Sequence, residues 1–177
     1  MKKNLMAICL LLCSIVALAG NPLKNMTGKD QLKSMLSENA KAVVEVDWSN
    51  AKYDKNKDLK ESFGEDYDYI LRNCPKRFIE GFNDKSNGLK LTQDATDAKY
   101  KVVLKVTNID HYFNVMGFGP MANEAKMWGS LEIIDIATGT PIVTSDIDEA
   151  EDGKDIVLKD CYGKTFRKLG ERIAKIK

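Results

Sequence analysis

Between residues 42 and 48 the chain alternates, with Val44, Val46 and Trp48 on one side and Glu45 and Asp47 on the other. Successive side chains of a strand project to opposite faces, so this pattern predicts a half-buried β-strand. Tyr100, Val102, Leu104 and Val106 alternate with Lys101, Val103, Lys105 and Thr107 and predict a second, the clearest in the chain. A third is predicted over 126–136, with Leu131 and Ile133 on one face, and a fourth over 141–147. The stretch Asp135-Ile136-Ala137-Thr138-Gly139 between them reads as a tight hairpin turn, because glycine takes a positive φ without steric cost. A short strand is expected over 89–92.

The period changes elsewhere. Ile70, Cys74, Phe78 and Phe82 fall four residues apart, which predicts a helix over 66–85 that stops at Asn87-Gly88. Pro75 interrupts that face, so a kink or a fresh start capped by Asn73 is expected there. Leu158, Tyr162, Phe166, Leu169, Ile173 and Ile176 make one continuous stripe and predict a second long helix. Leu32, Met35 and Leu36 suggest a brief helix within the otherwise polar segment 20–40. Residues 49–65, rich in Asp, Lys and Asn, read as a solvated loop, and 148–155 as a polar surface run. Helices with one apolar stripe each must cover a sheet face, and strands joined by short turns pair antiparallel. The expected fold is therefore α+β, a single domain over 41–177 with an antiparallel sheet of about four to five strands and two main helices on one face.

The first twenty residues have a different character. Lys2 and Lys3 form a positive head, Leu5 to Leu18 is apolar apart from Ser14, and Ala17-Leu18-Ala19 ends the run with small residues. That is the pattern of a secretory signal peptide, here 1–19, cleaved after Ala19. Asn21, Lys24 and Asn25 follow too soon for a spanning helix of about 20 apolar residues. Lipidation is the lesser alternative, since Cys9 and Cys13 sit inside the apolar run rather than at its end. The expected location is periplasmic or extracellular. Loss of Lys2 and Lys3 takes the formal charge from +1 to −1, and a near-neutral chain has no electrostatic case for binding nucleic acid. No later segment is long and apolar enough to span a bilayer.

Three pieces in order carry a likeness to a known family: the strand entered through Asp97-Ala98-Lys99-Tyr100 and continuing Val102-Val103-Leu104, the hairpin from Leu131 to Gly139, and the amphipathic C-terminal helix. Together they resemble secreted bacterial envelope proteins and lipoproteins of the curli-secretion lipoprotein α+β type and, more distantly, the N-terminal domain of TolB. The resemblance covers roughly residues 42–176 as architecture plus one short turn motif. It implies a periplasmic or surface adaptor that assembles with other envelope components, and it offers no catalytic residues to carry over. The chain departs from the lipoprotein members in lacking a well-placed lipobox cysteine.

Candidate chemistry is sparse. The single histidine, His111, has no Gly-x-Ser-x-Gly elbow to serve, and one histidine with two distant cysteines is a poor zinc set. Gly28-Lys29-Asp30 lacks both the earlier glycine and the hydroxyl of a phosphate loop. Asp54, Asn56, Asp58 and Glu65 fall at the spacing of an EF-hand calcium loop, but Leu59 stands where the sharp turn requires glycine. No motif points to a cofactor. Cys74 and Cys161 are the only cysteines beyond the leader. Either they close one disulfide, worth about 4 kcal/mol in the chain-entropy model, or they are small buried hydrophobes.

The segment from His111 to Met121 stands out, because connections between strands are normally polar. This one carries Tyr112, Phe113, Val115, Met116, Phe118 and Met121, residues that mark a contact surface when exposed and a core cap when folded inward. The expected function is a non-catalytic assembly or binding module that contacts another envelope protein, or itself, through this loop and a sheet edge. The alternative is a carrier of a small apolar ligand, in a pocket lined by Trp48, Tyr100 or Phe78. A hydrolase would require an acid or base buried beside His111.

Overall fold

A computed structural model describes residues 21–114 and 122–176. Its elements in chain order are β1 (Leu23–Thr27), α1 (Lys29–Leu36), β2 (Lys41–Asp47), β3 (Lys52–Tyr53) and α2 (Leu59–Phe63). There follow α3 (Tyr67–Asn83), β4 (Lys90–Thr92), β5 (Tyr100–Asn114), β6 (Ala122–Asp135), β7 (Pro141–Asp155) and α4 (Leu158–Ile173). The fold is α+β as expected, but the sheet is mixed and has 7 strands, in the order β1-β7-β6-β5-β2-β4 with β3 beside β5. The antiparallel part is the meander β5-β6-β7 with β1 on its far edge. The parallel part is β2 against both β5 and β4. Parallel neighbours need a long crossover, and the segment holding α2 and α3 supplies it between β2 and β4. The segment 20–40, expected to precede the domain, contributes β1 and α1 to it.

Tyr100, Val102, Leu104 and Val106 all point into the core, as their alternation predicts, together with Leu131, Ile133, Val143 and Ile147. The stripes of α3 and α4 complete it with Ile70, Cys74, Phe78 and Phe82 from one helix and Tyr162, Phe166, Leu169 and Ile173 from the other. The helix α3 runs unbroken through Pro75, so the fresh start at Asn73 does not occur. On the opposite sheet face Val103 is also buried. It sits between Glu45 and Glu132 in register, and the ion pairs Lys101–Glu45 and Lys105–Glu132 roof it with aliphatic lysine stems.

A bulge divides the meander. Register slips between Val106 and Asn108 opposite Gly129, where any Cβ would lie 2.1 Å from the Lys105 carbonyl oxygen. An extra residue in one strand bends and twists the pair. Beyond the bulge β5, β6 and β7 run on as a three-stranded arm past the end of β2.

Candidate functional site

The arm is built where sequence reading placed a loop. Residues 111–114 continue β5 in unbroken register with β6, from Asn108 opposite Trp128 to Asn114 opposite Ala122. The acidic run read as surface is the distal half of β7. Past the bulge the inward parity shifts, so Ile109, His111 and Phe113 follow the helix side while Asp110 and Tyr112 face outward.

At the base of the arm the His111 imidazole is half-buried. Its Nδ1 lies 2.5 Å from the Tyr53 hydroxyl and 3.3 Å from that of Tyr162. The Tyr53 ring stacks on it at 5.7 Å, and Phe63 closes the cluster against Tyr53 and Tyr162. Burial lowers the imidazole's proton affinity, with the Asp110 carboxylate opposing; burial likewise raises the phenols of Tyr53 and Tyr162. A catalytic histidine is oriented through one ring nitrogen by a carboxylate, whereas here tyrosine hydroxyls hold Nδ1. The cluster fastens β3, α2 and α4 to β5.

Further out the apolar side chains turn to solvent. Tyr112 is 41% exposed, Phe113 49%, Val157 45% and Ile156 82%. Asn123, opposite Phe113 in register, donates its side-chain amide to the Ile156 carbonyl at 2.9 Å, so Phe113, Ile156 and Val157 share one end of the molecule. On the outer face Glu124, opposite Tyr112, is only 6% exposed. Burial, then a hydrogen bond to Glu124, pushes the Tyr112 phenol well above its ordinary range. The Lys126 ammonium lies over the Tyr112 ring at 5.1 Å and pairs with Glu149 and Glu151.

Of the predicted contact residues, Tyr112 and Phe113 are therefore exposed on a strand, and Val115, Met116, Phe118 and Met121 lie outside the described residues. Sequence reading missed Ile156 and Val157, whose signal is an apolar pair between an acidic run and a helix. Tyr53 was also missed, embedded among Asp and Lys.

The calcium candidates are not gathered into a ligand set. Asp54 is paired with Lys57 at 2.7 Å, and Asp58 caps α2 by accepting from the Glu61 N–H at 3.0 Å. Among the described residues no group of three or more His, Cys, Asp or Glu side chains could hold a metal ion. Cys74 and Cys161 lie on the facing helices α3 and α4, both buried and unbonded, so the structure has them as small core residues rather than a disulfide. Burial raises both thiols, and the Cys161 Sγ donates to the Asn123 carbonyl at 3.3 Å. Phe78 and Tyr100, expected to line any ligand pocket, are packed core side chains, and Trp48 lies against Phe166 at 5.6 Å.

The site and fold define an α+β protein with a mixed sheet and an extended arm. No protein-family model matches the chain, and no curated protein matches it. Solved structures similar in fold include the PelC dodecamer from Paraburkholderia phytofirmans, 11% identical at a TM-score of 0.43, over 76% of this chain and 88% of that one. Another is a neuraminyllactose-binding hemagglutinin homolog from Helicobacter pylori, 12% identical at a TM-score of 0.37, over 78% of this chain and 83% of that one. The likeness is distant.

Proposed function

We propose that this protein is an exported, non-catalytic binding module of a bacterial cell envelope that engages another protein chain through the end of its arm. The observation that carries this reading is the exposure of Phe113, Ile156 and Val157 at one end of the sheet, with Tyr112 exposed on the opposite face of the same strand. Single exposed hydrophobics are ordinary, but a contiguous apolar patch marks an interaction surface. Aromatic side chains supply much of the contact energy at such surfaces. The leader pattern of residues 1–19 supports export.

Photo-cross-linking in intact cells tests the reading. A photoreactive residue replacing Phe113 is expected to give a discrete protein adduct. The same residue at Ile136, equally exposed in the turn between β6 and β7, is expected to give none. Equal labelling at both positions, or none at either, would sink the proposal.

A further inference from the structure

We infer that Asn87 is a site of spontaneous covalent modification, at which the side-chain amide is lost to attack by the backbone nitrogen of Gly88 in the folded protein. The inference is independent of the binding role proposed above. Asn87-Gly88, between α3 and β4, is the one asparagine–glycine pair in the chain. Glycine has no Cβ, so its nitrogen meets least hindrance on the way to the preceding side chain. The pair lies outside every helix and strand, and Asn87 is exposed. Among the described residues neither the Asn87 side chain nor the Gly88 N–H makes a hydrogen bond. Asn87 also lines an open cleft with Ser37, Lys85 and Ala174, so water reaches it.

Other asparagines are held. Asn83, at the end of α3, donates its amide to the Leu91 carbonyl at 2.9 Å and accepts from the Leu91 N–H at 2.8 Å. Asn25 donates to Asp146 at 2.7 Å and Asn123 to the Ile156 carbonyl at 2.9 Å. Asn56 is exposed, but the Lys57 N–H that follows it donates to the Tyr53 carbonyl at 2.9 Å. A group already in a hydrogen bond must give it up before it reacts.

The reaction needs only water. The Gly88 nitrogen gives up its proton and bonds to the Asn87 Cγ, closing a cyclic imide, and Nδ2 leaves as ammonia with that proton. Water then opens the ring at either carbonyl. Breaking the bond from the Gly88 nitrogen to Cγ restores the backbone with aspartate at 87. Breaking the bond from that nitrogen to the backbone carbonyl leaves isoaspartate, with the chain running through the side chain and one carbon longer. The two products differ in consequence. An aspartate side chain stays in solvent, in the cleft shared with Lys85. The longer backbone lacks room, because Gly88 is set against the end of α1. A Cβ there would lie 2.6 Å from the Leu36 carbonyl oxygen and 2.9 Å from that of Glu38. The same turn leads to Lys90, whose N–H donates to the Ala40 carbonyl at 2.9 Å. Isoaspartate therefore strains the join of α1 with the edge formed by β2 and β4.

Peptide mapping by mass spectrometry, on protein aged at mildly alkaline pH both folded and in urea, tests the site. In the folded protein Asn87 is expected to convert to aspartate and isoaspartate at least about tenfold faster than any other asparagine. The rate is expected to rise with pH, because the attacking nitrogen must lose its proton, and Asn87→Gln is expected to abolish the fast conversion. Conversion at Asn87 only in urea, or at the rate of Asn56, overturns the inference. Urea midpoints test the consequence. Aged wild type is expected to lose stability in proportion to its isoaspartate content, while fresh Asn87→Asp keeps the wild-type midpoint. An unchanged midpoint in protein rich in isoaspartate overturns the predicted strain against α1.

Discussion

Gly28 and Gly139 hold nearly the same backbone conformation, with φ of 67° and 68°, yet their surroundings differ completely. A Cβ at Gly139 would meet nothing within 4 Å, whereas one at Gly28 would lie 2.0 Å from the Ile142 carbonyl oxygen. Gly139→Ala is therefore expected to cost only the left-handed backbone penalty, about 1 kcal/mol. Gly28→Ala adds a clash with the backbone of β7 and is expected to cost roughly 3 kcal/mol or more. Urea unfolding of the two variants checks the difference. His111 makes a prediction of a different kind. Its proton affinity is lowered in the folded state by burial, so the folded protein favours the neutral ring. The corresponding stability is fully present above the ordinary histidine value of about 6.5 and is lost as pH falls through and below it. Thermal unfolding from pH 8 to pH 5 is expected to show a decline that His111→Gln makes shallower; parallel curves for the two proteins would contradict the assignment.

At the scale of elements, the contact between α3 and α4 depends on glycines that read as helix weaknesses in a sequence. A Cβ at Gly170 would stand 2.3 Å from the Phe78 carbonyl oxygen, and one at Gly81 would stand 2.1 Å from that of Arg167. The two helices approach backbone to backbone at these points. Gly170→Ala, ordinarily favourable within a helix, is expected to destabilise by about 1–3 kcal/mol in a denaturation midpoint series. The long elements were legible because each presents one uninterrupted period: β2, the first half of β5, the turn at Gly139 and the stripe of α4. The arm was not. The bulge after Val106 switches the parity of β5, so Ile109, His111 and Phe113 no longer continue the alternation set by Tyr100 to Val106. The distal half of β7 is acidic because its outer face is solvated, and its strand character resides in backbone pairing that side-chain pattern does not record. Parallel pairing of β2 with β5 and β4 was equally hidden, since nothing local distinguishes it from a hairpin. At the candidate site, Tyr112 and Phe113 were legible as apolar residues out of place. Tyr53 reaches His111 only through a chain crossing that a sequence does not draw.

For the molecule as a whole, body and arm divide the labour of the sheet. The body buries its aliphatic face under α3 and α4, while the arm carries the exposed aromatics at the end remote from the Gly139 turn. The order of the strands has its own consequence. The first strand, β1, completes the sheet against the last, β7, through contacts such as that of Asn25 with Asp146, 121 residues apart in sequence. A chain made from its N-terminus cannot form that pair until β7 has been made, and contacts so distant in sequence form slowly. β1 thus stays unpaired while the strands between it and β7 are made. For the export proposed above, this ordering would keep β1 out of the sheet until β7 has followed it.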